Sequence, residues 1–89
     1  MNYSFEFDEN TSSINRAEHG IDSGEAQQLW LDDELLRIPS RYATEVRFLF
    51  IGKIENRHWS AVVTYRGETI RMISVRRSRV REVEAYEGQ

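Results

Sequence analysis

The fold is decided by residues 46–75, which read VRFLFIGKIENRHWSAVVTYRGETIRMISV. Residues with β-branched and aromatic side chains fill three runs in this stretch, and short polar segments separate the runs. The runs cover 46–54, 58–65 and 69–75. Three such runs at short spacing predict an antiparallel meander. In the last run, strict alternation places Ile70 and Met72 on one face and Val75 on the other.

The beginning of the chain has the pattern of a strand followed by a helix. Aromatic residues alternate with polar ones over residues 2–7, which predicts a short, half-buried strand. Asp8 is a good N-cap for a helix over about 9–19. Gly20 suits the left-handed position that commonly ends a helix.

A second helix and another strand are predicted before the meander. The helix covers about 23–31, and Asp22 with Glu25 has the spacing of a capping box at its start. A brief extended segment over 35–39 follows. Pro39 either ends this strand or confines it to an edge of the sheet, because proline cannot donate to a neighbouring strand.

The tail over about 77–87 is predicted to be a helix with a narrow apolar stripe of Val80, Val83 and Tyr86. The element order is therefore β-α-α-β-β-β-β-α. This order predicts an α+β domain with a small antiparallel sheet and the helices against one of its faces. The 89 residues are enough for one domain, which we assign to residues 1–89.

Composition excludes several classes of function. The chain contains no cysteine, which excludes disulfides, thiolate metal sites and a thiol nucleophile. It has no apolar stretch long enough for a membrane span and no signal-peptide pattern, so we expect a soluble, cytoplasmic protein. No phosphate-binding glycine loop and no His-x-x-x-His pair is present.

Charge is distributed unevenly along the chain. The net charge is −3, but residues 1–45 contain ten carboxylates and three arginines, whereas residues 46–89 contain nine basic residues and five carboxylates. Six arginines lie within 66–81: Arg66, Arg71, Arg76, Arg77, Arg79 and Arg81. Guanidinium groups bind phosphate and carboxylate in a planar, bidentate way, so this cluster is the strongest physical indication of an anion site.

In an antiparallel meander Arg66 and Arg76 need not be far apart, and if they converge they form an anion site suited to a phosphodiester. The alternatives are a solvated face, ion pairs with Glu82, Glu84 and Glu87, or a surface for an acidic partner. The sequence does not decide between these readings.

The histidines and tryptophans have structural interpretations. His19 lies at the end of a predicted helix, where a capping or dipole role is more common than a role as a base. His58 follows a turn and is expected to be exposed. Trp30 and Trp59 are expected to be packing groups, and stacking on RNA would require one ring to be exposed.

Seven short segments occur in order between residues 5 and 87. They are Phe5-Glu6-Phe7-Asp8; Asn15 with His19-Gly20-Ile21; Glu25-Ala26; Arg47 with Ile51-Gly52; Thr64-x-Arg66-Gly67; Ile70-Arg71-Met72-Ile73-Ser74-Val75-Arg76; and Glu82 with Tyr86-Glu87. Together they resemble the BrnT family of bacterial type II toxins, which have a RelE-like ribonuclease fold. The chain departs from the family pattern at Phe7, where the family has Trp, and at Thr11 and Glu18, where it has Lys.

The resemblance implies a metal-independent endoribonuclease without a cofactor, which cleaves RNA and inhibits translation. It implies a cognate BrnA-type ribbon-helix-helix antitoxin that forms a hetero-oligomer with the toxin, and operator DNA bound only through that complex. It also suggests roles for three groups of residues: Arg66, Arg76 and Arg77 for the scissile phosphate; His19, Glu6 and Tyr86 for proton transfer; and Arg71, Arg79 and Arg81 for RNA binding. His19 is the first choice as the base.

Two alternative functions follow from the sequence. The chain has Thr11 and Glu18 where the family has lysine. This loss of positive charge favours a catalytically weakened module whose main role is to dock the antitoxin and co-repress the operon. Direct DNA binding is less consistent with the sequence, because the chain is net acidic and its first two helices do not fit a helix-turn-helix.

Overall fold

A computed structural model describes residues 3–42 and 45–89. Its elements are β1 (Phe5–Phe7), α1 (Glu9–His19), α2 (Ser23–Ala26), a 3₁₀ helix (Gln27–Leu31), β2 (Leu36–Tyr42), β3 (Glu45–Ile54), β4 (Arg57–Arg66), β5 (Thr69–Arg77) and α3 (Val80–Glu87). The predicted α+β class and the order β-α-α-β-β-β-β-α are confirmed. The predicted start of the first strand at Asn2 lies outside the described residues.

The strands form one mixed sheet in the order β1-β5-β4-β3-β2. The meander of β3, β4 and β5 is antiparallel as predicted, and β2 adds to it in the same sense. The expectation of a purely antiparallel sheet is wrong, because β1 pairs in parallel with β5, with Phe5 opposite Ile70 and Phe7 opposite Met72. A short connection fixes the direction of a hairpin, whereas β1 joins a strand more than 60 positions away, where no local signal sets its direction.

The predicted helix boundaries near the N-terminus are confirmed by their caps. The Asp8 side chain accepts hydrogen bonds from the first turn of α1, and Gly20 ends that helix in the left-handed conformation, at φ 83°. Asp22 and Glu25 form the capping box at the start of α2. The second helix changes to 3₁₀ geometry at Gln27, a common way for a helix to tighten in its last turns.

The main core lies between the helices α1 and α2, the 3₁₀ helix and one face of the sheet. Its fully buried residues include Leu29, Val63 and Val75, and Trp59 is buried beside them. The expectation that Val75 lies on the other face of the sheet from Ile70 and Met72 is wrong. A β-bulge at Ile73 adds one residue to β5 between the pairs Val63–Met72 and Val62–Ser74, so that Val75 turns back to the core face.

The C-terminal helix packs on the opposite face of the sheet, so the expectation that all helices share one face is wrong. Tyr86 of α3 is buried there, and Ile51 is fully buried on the same side. The helix begins at Val80 rather than at position 77, because Arg77 still pairs with Trp59 in the sheet. Val80 is 74% exposed, so it does not belong to an apolar stripe.

The sheet is accessible to solvent along one edge and at one end of the face that carries α3. Pro39 lies within β2, which is an edge strand, in agreement with the edge interpretation. The helix α3 contacts only one end of its face of the sheet, and the other end, around Glu6, Thr64 and Arg71, is half-exposed.

None of the helices in residues 3–42 and 45–89 is long and apolar enough to cross a membrane.

Candidate active site

A carboxylate lies between two arginines on the half-exposed end of the sheet. Glu6 is opposite Arg71 in the β1–β5 register, and Arg71 Nη1 lies 3.2 Å from Glu6 Oε2. Arg66 Nε, at the end of β4, lies 3.9 Å from Glu6 Oε1. We call these three residues the Glu6 cluster. The Arg66 side chain is 65% exposed, so its guanidinium can reach an added anion.

A surface cavity of about 240 Å³ adjoins the Glu6 cluster. Arg71 and Thr64, which are cross-strand partners, lie in its wall together with Arg47. Thr64 Oγ1 donates to the carbonyl oxygen of Val46 at 2.9 Å, and Arg47 donates to Glu45 Oε2. The cavity wall therefore carries two arginines, Arg47 and Arg71, together with the carboxylates of Asp8 and Glu45. A guanidinium group in this wall can bind a phosphate oxygen.

The structure separates the arginines that were expected to meet. Arg66 pairs with Thr69, whereas Arg76 pairs with Ser60, six residues away along β4. Six residues of a strand span about 20 Å. The expectation that Arg66 and Arg76 lie near one another is therefore wrong, because they occupy opposite ends of the same hairpin.

Arg76 contributes to the attachment of α3. Its Nη1 and Nη2 donate to Oε1 and Oε2 of Glu82, both at 2.8 Å. Ser60 Oγ and the backbone N–H of Arg79 also donate to Glu82 Oε1, at 2.9 and 2.8 Å. The bond from Arg76, followed by the bonds from Arg79 and Ser60, lowers the pKa of Glu82 to about 2. The ion-pair interpretation of the arginine cluster is thus confirmed for Arg76 and Glu82.

The other arginines of residues 66–81 lie away from the Glu6 cluster. The Arg77 guanidinium lies over the ring of Trp59, 5.4 Å from its centroid, at the end of the sheet where β5 finishes. Arg79 is the N-cap residue of α3, and Arg81 is exposed in its first turn. Only Arg66 and Arg71 of the six therefore belong to the Glu6 cluster.

His19 lies at the other end of the molecule from Glu6. It is exposed in the last turn of α1. The next two residues, Gly20 and Ile21, line a cavity of about 290 Å³ together with Trp59, which pairs with Arg77 at the far end of the hairpin. The structure therefore does not bring His19 together with the Glu6 cluster.

The hydroxyl of Tyr86 forms a hydrogen bond that holds α3 in place. Tyr86 is buried, and its hydroxyl donates to Asp32 Oδ2 at 2.6 Å. The same carboxylate oxygen accepts the backbone N–H of Lys53 at 2.8 Å. Burial and the bond to Asp32 raise the pKa of Tyr86 well above its ordinary value. This hydroxyl connects α3 to the segment after the 3₁₀ helix.

The sequence prediction missed the role of His58. The residue is not simply exposed: its Nε2 lies 2.7 Å from Glu87 Oε2, and its ring packs edge-on against Tyr86. The sequence does show that Glu82, Tyr86 and Glu87 share one side of a short helix. That spacing does not predict a contact with His58, because it does not reveal that α3 lies across the sheet face that carries Ser60 and His58.

Comparison with known proteins agrees with the resemblance seen in the sequence. The family described as "Ribonuclease toxin, BrnT, of type II toxin-antitoxin system" matches residues 7–82, which is most of the chain. No curated protein matches the chain. The match contains both arginines of the Glu6 cluster and ends at Glu82. The chain therefore belongs to the family of BrnT ribonuclease toxins of type II toxin–antitoxin systems.

Proposed function

We propose that this protein is an endoribonuclease toxin that cleaves RNA at the Glu6 cluster and thereby inhibits translation. The observation that carries the proposal is the position of Glu6 between Arg66 and Arg71 on a half-exposed sheet face. A base and two cations within a few ångströms of one another are the groups that phosphodiester cleavage requires. Membership of the ribonuclease toxin family supports the same reaction class.

The proposed reaction uses a nucleophile that the substrate itself supplies, so it needs no metal ion. The 2′-hydroxyl oxygen attacks the adjacent phosphorus, and the bond from phosphorus to the 5′-oxygen breaks. Glu6 takes the proton of the 2′-hydroxyl, and the leaving 5′-oxygen takes a proton from a water molecule. The hydroxide that remains takes the proton from Glu6, which restores both the water and the carboxylate. Arg66 and Arg71 stabilise the extra negative charge on the pentacoordinate phosphorus. The products are a 2′,3′-cyclic phosphate and a free 5′-hydroxyl.

Among the three predicted proton-transfer residues, position favours Glu6. His19 lies at the opposite end of the molecule, and the Tyr86 hydroxyl is bound to Asp32. Glu6, and not His19, is therefore the preferred base. Arg66 and Arg71, and not Arg76 or Arg77, are the preferred ligands of the scissile phosphate.

The test is cleavage of RNA by the purified chain and by its Glu6→Gln variant, which keeps the shape of the side chain. We expect Glu6→Gln to lower kcat/KM by about 10²–10⁴-fold, and Arg71→Ala to lower it by about 10²–10³-fold. Glu18→Gln, at the far end of α1, is the matched control and should leave the rate unchanged. Full activity of Glu6→Gln, combined with loss of activity in His19→Ala, would move the active site to the other end of the molecule.

Membership of a type II family implies an antitoxin partner. We propose that the partner is a BrnA-type ribbon-helix-helix protein that forms a hetero-oligomer with this chain in the cytoplasm and carries it to operator DNA. A partner that neutralises the toxin has to cover or distort the Glu6 cluster. Co-purification of the two proteins, with loss of RNA cleavage in the complex, tests this assignment.

A specific observation also supports the second function, a weakened toxin that mainly docks its antitoxin. Thr11 lines the cavity beside Arg71, at the position where the family usually has lysine. The missing ammonium group would have faced the proposed phosphate site. Tight binding of the antitoxin by a chain that leaves RNA intact would favour this second function.

A further inference from the structure

A pocket lined by aromatic residues lies on the core face of the sheet, at the end where β4 turns into β5. Its volume is about 350 Å³, which is within the range of pockets that bind small molecules. The lining includes Tyr3, Trp30, Arg37, Phe50, Tyr65 and Glu68. The proposed ribonuclease reaction uses none of them.

Packing holds the rings of the pocket in place. Trp30 lies against Phe50 with a centroid distance of 4.8 Å, and it contacts Phe5 edge-on at 5.1 Å. Tyr65 contacts Phe48 edge-on at 5.4 Å. In spite of this contact Tyr65 is 38% exposed, and Tyr3 is 45% exposed. Fixed rings that remain accessible are the feature on which unpaired bases stack.

The rim of the pocket carries one cation and one anion. The Arg37 guanidinium is held over the ring of Phe48, 5.1 Å from its centroid. Glu68 is exposed in the turn between β4 and β5. A nucleobase presents both hydrogen-bond donors and acceptors along its edge. The two charged groups can therefore bind the edge of a base whose face stacks on the rings.

The pocket and the Glu6 cluster lie at the same end of the sheet. Tyr65 pairs with Ile70, and the next pair along the strands is Thr64 with Arg71, whose side chains point to the opposite face. Arg66 follows Tyr65 and ends β4. A single RNA strand that crosses this end of the sheet would meet the cluster on one side and the aromatic pocket on the other.

We propose that the aromatic pocket binds one unpaired nucleobase of the RNA substrate, close to the phosphodiester that is cleaved at the Glu6 cluster. This inference rests on the proposed function and extends it, because a base subsite makes the position of cleavage depend on the RNA sequence. A partner protein that inserts an apolar side chain would be the competing occupant.

The experiment measures binding separately from cleavage. Short 2′-O-methyl RNA oligonucleotides of each single base serve as probes, because they lack the nucleophilic hydroxyl and stay intact. A matched oligonucleotide without bases reports phosphate contacts alone. We expect the wild-type chain to bind the best base-containing probe at least about tenfold more tightly than the abasic one. Fluorescence anisotropy of labelled probes gives both dissociation constants.

Variants connect this preference to the pocket. Tyr65→Ala should abolish most of the difference between base-containing and abasic probes, and Tyr65→Phe should restore most of it because the ring remains. Ile14→Ala, an exposed change on α1 away from the pocket, is the control. Glu68→Gln should change the order of preference among the four bases, and cleavage maps of natural RNA should shift in the same way.

The outcomes separate this inference from the proposed function. Equal affinity of the wild-type chain for base-containing and abasic probes overturns the base subsite even if cleavage is normal. Base-dependent binding that is lost in Tyr65→Ala supports the subsite even if the chain cleaves no RNA, in which case the proposed function fails alone. Tyr65→Ala that binds RNA normally but loses the antitoxin assigns the pocket to the partner and overturns the inference.

Discussion

The candidate site depends on which arginines contribute to the packing of the fold and which face the exposed end of the sheet. Arg76 belongs to the attachment of α3 through Glu82, and Arg77 lies over Trp59. Arg66 and Arg71 both pair with the carboxylate of Glu6, and the Arg66 side chain is largely exposed. A count of arginines in the sequence gives all of them equal weight, whereas their contacts do not.

Thr11 is a position where a single substitution should increase activity. Thr11→Lys would place an ammonium group at the cavity beside Arg71. One added hydrogen bond between charged groups corresponds to about a tenfold increase in kcat/KM for RNA cleavage. Glu18→Lys restores the other lysine of the family pattern at the far end of α1, and it should leave the rate nearly unchanged. Equal effects of the two variants would point to general attraction of RNA instead of a local contact.

The helix α3 is attached to the sheet mainly by polar contacts. Tyr86 is its one buried residue. The bonds of Glu82 to Arg76 and Ser60, of Glu87 to His58, and of Tyr86 to Asp32 supply the remaining attachment. Such a helix depends on ionisation, because its contacts require charged carboxylates.

Glu82 gives this dependence a direction in pH. Its pKa falls from an ordinary value of 4.5 to about 2 in the folded chain, first because of the bond from Arg76. The unfolded chain therefore binds more protons between these values, and the stabilisation by Glu82 is complete above pH 4.5 and is lost as the pH falls toward 2. We expect Glu82→Gln to lower the free energy of unfolding by about 1.5–3 kcal/mol at pH 7.

The measurement is urea denaturation of both proteins at pH 6 and at pH 3. The difference between wild type and Glu82→Gln should be smaller at pH 3, and Glu84→Gln, an exposed change on the same helix, is the control. A difference that does not change with pH would show that the carboxylate charge of Glu82 contributes nothing to the attachment.

The local elements could be predicted from the sequence because their signals are local. Asp8, Gly20 and the Asp22–Glu25 box mark helix ends through contacts within a few residues. The parallel pairing of β1 and the position of α3 depend on contacts between distant residues, and the bulge at Ile73 breaks a rule of alternation that the sequence otherwise follows. The candidate site was predicted only in part for the same reason: Glu6, Arg66 and Arg71 were chosen from the sequence, but the register brought them together.

The arginines of residues 66–81 are divided between the two ends of the molecule. Arg66 and Arg71 lie near Glu6, whereas Arg76 and Arg77 lie at the far end of the hairpin. The contrast between the acidic and basic halves of the sequence therefore does not produce one continuous basic face. RNA that binds at the Glu6 cluster should make few phosphate contacts.

The salt dependence of RNA binding tests this distribution. Each neutralised phosphate of a single strand contributes about −0.7 to the slope of log K against log salt concentration. Arg66→Ala should therefore make the slope for a 2′-O-methyl RNA probe shallower by about 0.7, and Arg81→Ala should leave it unchanged. A similar change in Arg81→Ala would support the original prediction that Arg81 binds RNA.

The edge strand β2 has a further consequence for the behaviour of the protein at high concentration. A proline fits within a strand only where its nitrogen faces away from the neighbouring strand. Pro39 therefore leaves a gap in the row of hydrogen-bond donors that β2 presents to solvent. A strand from a second molecule cannot pair along this edge without leaving one of its own carbonyl groups without a donor. Natural proteins use such gaps to discourage fibril growth. A residue that takes no part in the proposed chemistry thus protects this edge of the sheet against self-assembly.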